Sequence, residues 1–131
     1  MKSRLFDHID LRVTNLEAAD AFYRILLPAI GFPARRVEAD SIAYDSPRGH
    51  SKPEFVSLIE DPEHLPNKTR IAFWCDIREE VDQVAAVLPR ATGLNVEGPM
   101  SNPEYEPGYY AVFFEALRQS IRSLLQSSKG R

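Results

Sequence analysis

The stretch His8–Phe32, HIDLRVTNLEAADAFYRILLPAIGF, lies without a gap over Arg70–Leu94, RIAFWCDIREEVDQVAAVLPRATGL. Ile9/Ile71, Glu17/Glu79, Asp20/Asp82, Leu26/Leu88, Ala29/Ala91 and Gly31/Gly93 are identical. Leu11/Phe73, Val13/Cys75, Phe22/Val84, Ile25/Val87 and Phe32/Leu94 keep apolar character. A repeat this long is one structural unit used twice, and two related units side by side create a cleft in which function is to be sought.

Each copy opens with an alternating segment. In Leu5–Thr14 the side chains of Ile9, Leu11 and Val13 point one way and those of His8, Asp10 and Arg12 the other, the pattern of a half-buried strand. In Arg70–Asp76, Ile71, Phe73 and Cys75 oppose Arg70, Ala72 and Trp74. A helix follows in both. From Leu16 to about Ile30 its apolar stripe reads Ala18, Ala19, Phe22, Ile25, Leu26 and Ala29; Asn15 is placed to cap it and Gly31 to stop it. From about Arg78 to Pro89 the stripe is Val81, Val84, Ala85 and Leu88, and Gly93 ends the connection.

Three short strands are expected after the first helix, at Pro33–Ala39, Ile42–Asp45 and Glu54–Glu60, with a hairpin at Asp40-Ser41 and a polar loop over Ser46–Pro53. Asp61–Thr69 reads as a linker. In the second copy Leu94–Glu97 is a candidate strand, Gly98–Gly108 a proline-rich loop and Tyr109–Glu115 a strand rich in aromatic and β-branched residues. Repeat logic makes Ser120–Leu125 a last strand, although Leu117, Ile121, Leu124 and Leu125 also fit helical spacing. The expected fold class is α+β: one domain of two βαβββ modules, about 5–60 and 70–125 with a linker at 61–69. Their sheets would join into a curved half-barrel with the helices outside. His8, Asp10 and Arg12 would then face Arg70, Ala72 and Trp74 across a shared cavity.

Bulk properties exclude several classes. The 131 residues suffice for one ordinary core. A net charge of −3 provides no basic field for nucleic acid or an anionic membrane. The apolar runs are too short to span a bilayer, and no apolar signal segment follows Met1. The lone cysteine, Cys75, excludes an internal disulfide and fits a reducing, cytoplasmic compartment. It sits on an apolar strand face and reads as a small core residue rather than a nucleophile. No phosphate-binding glycine loop, Cys-x-x-Cys or Gly-x-Ser-x-Gly motif is present.

FDHIDLRVTNLEAADAFYRILLPAIGF resembles the opening of the vicinal oxygen chelate superfamily, which includes glyoxalase I, bleomycin-resistance proteins, extradiol dioxygenases and fosfomycin-resistance enzymes. There a first strand carries His, a helix carries Phe-Tyr (Phe22-Tyr23 here) and a Gly-Phe closes the unit (Gly31-Phe32 here). RIAFWCDIREEVDQVAAVL with NPEYEPGYYAVFF is similar to the second half of an uncharacterised glyoxalase-like group, in which a Pro-x-Tyr-x-Pro-Gly-Tyr-Tyr loop (Pro103–Tyr110 here) precedes a strand.

The resemblance implies a metal held by a strand-one His, a strand-five His and a last-strand Glu. Only His8 is retained; Arg70 stands at the second position and Arg122 near the third, while Ser57 or Leu58 takes the place of an occasional fourth-strand carboxylate, with Glu60 at that strand's end. Arginine has no lone pair to offer a cation and adds a repelling charge. No cofactor is therefore expected, a divalent metal being the family's alternative. The arginines suit another task. Arg12, Arg70 and Arg122 could hold a small organic anion, with Trp74, Tyr105 and Tyr110 stacking its body.

Each site residue also has a structural reading. His8 is a metal ligand, a hydrogen-bonding or proton-transfer group of a pocket, or a structural residue. Asp10 neutralises Arg12 or Arg70; Arg70 pairs with Asp10 or Glu60; Trp74 belongs to the core or a dimer interface; Tyr105, Tyr109 and Tyr110 pack their loop. Glu104 and Glu106 sit in a solvated loop, and His50 and His64 in exposed polar loops. Three functions follow: a metal-free small-molecule binding protein, a metal-independent enzyme using His8 for proton transfer, and a metal-dependent lyase or dioxygenase with unusual ligands. A small-molecule ligand is the expected partner, and a homodimer formed through an exposed sheet edge the expected assembly.

Overall fold

A computed structural model describes residues 5–47, 52–67, 69–88, 95–105, 107–115 and 122–127, with Asn95 and 122–127 as backbone. The expectations for His50, Gly93 and Glu106 lie outside the described residues. The chain forms two compact units, Met1–His64 and Leu65–Arg131. Unit one comprises β1 (His8–Val13), α1 (Leu16–Ile30), β2 (Ala34–Val37), β3 (Ser41–Asp45) and β4 (Phe55–Glu60). Unit two comprises β5 (Arg70–Trp74), α2 (Arg78–Val87), β6 (Asn95–Ser101), β7 (Tyr110–Glu115) and β8 (Arg122–Ser127).

Both units have the same wiring. The sheet orders are β1-β4-β3-β2 and β5-β8-β7-β6. The first strand of each pairs parallel with the last, and the remaining pairs are antiparallel. The first and last strands can run parallel because the helix and two intervening strands return the chain to the starting end. Arg122–Ser127 is thus a strand, paired with β5 and β7 in place of the helix that the leucine spacing also allowed; Leu117 and Ile121 lie outside the described residues.

Helix α1 begins where Asn15 accepts a hydrogen bond from the Ala18 N–H at 2.9 Å. A second anchor is Glu60, whose carboxylate takes the Leu16 N–H at 3.0 Å, from the end of β4. The helix ends at Gly31 in the left-handed region (φ 118°), with Phe32 N–H returning to the Leu27 carbonyl. Its buried stripe is rotated from the expected one. Asp20, Tyr23 and Leu27 join Ala19, Phe22 and Leu26 inside, while Ala18 and Ala29 are exposed. Large side chains win the interior because they carry more apolar area; two alanines on the flank contribute little. In α2, Val81, Val84 and Leu88 are buried as expected. Cys75 is buried, and desolvation, aided by Glu80 and Asp76, pushes its thiol up to about 11, so it stays protonated at neutral pH.

The repeated Asp20/Asp82 identity has a structural role. Asp20, 4% exposed, accepts from the Tyr44 hydroxyl on β3 and from Arg35 and Arg24, each guanidinium at 2.7 Å. Asp82 accepts from the Tyr110 hydroxyl on β7 at 2.6 Å. In both units a helix carboxylate therefore ties the helix to the third strand of its sheet. One strand expectation needs correction. β6 extends to Ser101, through what reads as loop at Gly98-Pro99, because a register shift between Glu97 and Met100 lets the strand continue beside β7. No helix among the described residues is long and apolar enough to cross a membrane.

Burial opposes the charge on Asp20, but the hydrogen bonds from Arg35, Tyr44 and Arg24 outweigh it and hold the carboxyl below its ordinary range. Its stabilisation is thus complete above about pH 4 and lost as the pH falls through the depressed value. Asp20→Ala strands two cations and a buried hydroxyl, with an expected cost of about 3 kcal/mol in urea denaturation at pH 7. A loss below about 1 kcal/mol, the level of an exposed ion pair, would contradict that role.

Candidate functional site

The pleat sorts each sheet into a helix-facing and a helix-free side. In unit one, Leu11, Ile42, Tyr44, Val56 and Leu58 are buried on the face packed by α1. The opposite face carries His8, Asp10 and Arg12 with their cross-strand partners Phe55, Ser57 and Ile59. Its charges are mutually satisfied. His8 Nδ1 is 2.8 Å from Asp7 Oδ2, Nε2 is 3.6 Å from Asp10 Oδ2, and the ring stacks on Phe55 at 4.7 Å. Arg36 grips Asp45 through two nitrogens at 2.7 and 3.0 Å, pairs with Glu38 and lies over Phe55. Arg12 lies 3.6 Å from Asp61.

The helix-free face of unit two is built differently. Arg70, on the outer strand β5, is exposed and extends across the sheet until its guanidinium lies 5.8 Å from the centroid of Phe113 on β7. Among the described residues of its own unit it has no carboxylate partner. Phe113 and Ala111 form a buried cluster with Tyr109 packed against it. Glu97 is the cross-strand partner of Phe113, and Met100 that of Ala111. The bulge that produces this register depends on Gly98: at φ 95°, a Cβ there would meet the Ala111 carbonyl oxygen at 2.8 Å.

A loop closes the site. The Asn102 N–H donates to the Tyr109 carbonyl at 2.8 Å, and the Tyr105 N–H donates to the Asn102 carbonyl at 3.0 Å. Tyr105 meets Tyr109 edge-on at 5.0 Å and lies 6.4 Å from Phe113. Arg78 on α2 steadies the loop's far end, reaching the Gly108 carbonyl at 3.4 Å and covering the Tyr110 ring. Arg70, Glu97, Met100, Asn102, Tyr105 and Phe113 line an open cavity of about 200 Å³.

Of the residues singled out in the sequence, Arg70 and Tyr105 are those whose described side chains line this cavity. His8, Asp10 and Arg12 share the helix-free face of unit one. Tyr110 points the other way, towards Asp82 and Arg78 on α2. Trp74 is not a core residue: it is 51% exposed, and its indole N–H donates to Asp76 at 2.7 Å. Backbone register sets Arg122 opposite Arg70 and Glu115. His64, expected in solvent, has a buried Nε2 without a hydrogen-bond partner among the described residues. Glu97, Met100, Asn102 and Phe113 escaped the sequence reading; the alternation of Ala111, Phe113 and Glu115 in β7 was the available signal.

The residues do not fit the metal that the superfamily resemblance implies. Arg70 has no lone pair to give, and His8 Nδ1 is engaged by Asp7. Among the described residues no three His, Cys, Asp or Glu side chains gather into a metal-holding group.

The fold is shared with solved glyoxalase, bleomycin-resistance and dioxygenase family proteins. The chain is similar in structure to a glyoxalase/bleomycin resistance protein from Albidiferax ferrireducens, with a TM-score of 0.73 at 16% identity over 93% of this chain and 97% of that one. A genomically encoded fosfomycin resistance protein from Listeria monocytogenes has a TM-score of 0.66 at 18% identity, over 97% and 94%. A glyoxalase/dioxygenase from Nostoc punctiforme has 0.66 at 18%, over 95% and 90%. At these identities the likeness is one of fold. No family model and no curated protein matches the sequence.

The hydrogen bond that His8 donates to Asp7 outweighs desolvation and, with the charge of Asp10, raises the His8 pKa above its ordinary value. Asp7→Asn is expected to lower it towards about 6.5, read by NMR titration of the imidazole. An unchanged titration would show that Asp7 is not the cause.

Proposed function

We propose that this protein is a metal-independent small-molecule binder of the vicinal oxygen chelate type, taking a small organic anion on the helix-free face of its second unit. The observation that carries the reading is Arg70. The arginines that hold the fold spend their donors, Arg35 and Arg36 on carboxylates and Arg78 on a backbone carbonyl. Arg70 instead stands over an aromatic ring at the wall of a cavity, with none of its five donors on a partner among the described residues. A guanidinium in that state suits a carboxylate or phosphate in bidentate fashion.

Phe113 and Tyr105 supply the surface for an apolar or planar body, and Met100 adapts to its outline. At about 200 Å³ the cavity is smaller than the ~300–1,000 Å³ of pockets for drug-sized molecules, so one ring or a short chain is the size it suits. Cytoplasmic location and assembly as a homodimer belong to the same proposal, supported by a buried free thiol and by sheets with open outer strands.

Isothermal titration with 3-phenylpropionate tests the reading. Binding to the wild type is expected to weaken about tenfold or more in Arg70→Ala, the equivalent of one charged hydrogen bond, with Arg70→Lys in between. Equal affinity for all three proteins would overturn it.

A further inference from the structure

The cavity contains more than an anion clamp, and its lining also includes strong acceptors. Glu97 stands beside Phe113 across the β6–β7 pair, close to where the Arg70 guanidinium lies over the same ring. Cross-strand Cβ atoms in such a pair are roughly 5 Å apart. The two opposite charges nevertheless do not pair, and among the described residues Glu97 has no other cation. Asn102 adds a second acceptor. Its Nδ2 donates to Glu104 at 3.3 Å, which fixes the amide's orientation, since only the NH₂ end can face a carboxylate. Its Oδ1 is buried and has no donor among the described residues. Asn102 as a whole is 9% exposed, so an unmet acceptor there is costly.

A plain anion leaves this half of the cavity unexplained. A carboxylate beside the anion site repels an anionic ligand, and a buried carbonyl oxygen needs an N–H or O–H. A protonated amine satisfies both, having three donors, one positive charge and no acceptor. We infer that the ligand is a zwitterion of the amino-acid class with an apolar or aromatic side chain. Its carboxylate would meet Arg70, its ammonium Glu97 and Asn102, and its side chain Phe113, Tyr105 and Met100. The inference rests on Arg70 holding an anion, as proposed above, and adds the amine and the groups that read it.

Three probes of one shape separate the parts: phenylalanine, 3-phenylpropionate without the amine, and phenethylamine without the carboxylate. Titrated into the wild type, phenylalanine is expected to bind about tenfold or more tighter than either fragment. Glu97→Gln removes one charge at an exposed position and should bring phenylalanine down to the level of 3-phenylpropionate, whose own affinity stays or rises. Asn102→Leu should act in the same direction. Should that variant fail to fold, the wild-type comparison and Glu97→Gln decide the matter alone. Phenylalanine binding no tighter than 3-phenylpropionate, with the latter still dependent on Arg70, overturns the zwitterion and leaves the anion reading standing. Phenylalanine preference unchanged in Glu97→Gln also overturns it. Failure of both acids to bind overturns both.

Discussion

A single helix covers one face of each four-stranded sheet, and the strand pleat determines what every other residue then does. Side chains facing the helix are Leu, Val, Ile and Phe, with a tyrosine hydroxyl tied to a helix aspartate, Tyr44 to Asp20 and Tyr110 to Asp82. Side chains on the other face receive no helix, so they must tolerate water or meet a ligand. The one-sided cover is the origin of the functional surface, and it occurs twice because the unit occurs twice.

The two helix-free faces have solved the same problem differently. In unit one the charges cancel locally: His8 between Asp7 and Asp10, Arg36 on Asp45 and Glu38, Arg12 near Asp61. Such groups are occupied. In unit two a guanidinium, a carboxylate and an amide oxygen line one small cavity and are left unmet among the described residues. Unpaired polar groups gathered around an aromatic floor cost the fold something, and binding is the event that recovers it. The shared architecture with glyoxalase and resistance proteins does not decide between these faces, since one fold carries many chemistries.

Much of this fold is legible in the chain because the repeat and the strand alternation are local signals. Ile9, Leu11 and Val13 fall inward as period two requires, Asn15 and Gly31 mark the ends of α1, and Cys75 is buried on an apolar face. Three features are less legible, each for a physical reason. The α1 stripe is shifted because Tyr23 and Leu27 outweigh two alanines, and because a buried Asp20 does not look apolar. β6 is hidden by Gly98-Pro99, which reads as a loop until the bulge beside β7 gives those residues a partner. Tyr110 resembles a ligand platform until α2 supplies Asp82 to hold its hydroxyl. The site shares that last difficulty. Arg70 stands out as a cation on a strand, but the acceptors Glu97 and Asn102 reach it only through the pairing of β6 with β7.

The most direct test of the central claim, that the second unit's helix-free face is the binding surface, is an NMR titration with phenylalanine on protein labelled at methionine methyls and arginine side chains. The account predicts shifts of the Met100 methyl and the Arg70 guanidinium, with Arg36 still. Shifts confined to Arg36 and Arg12, with Met100 and Arg70 unmoved, would contradict it.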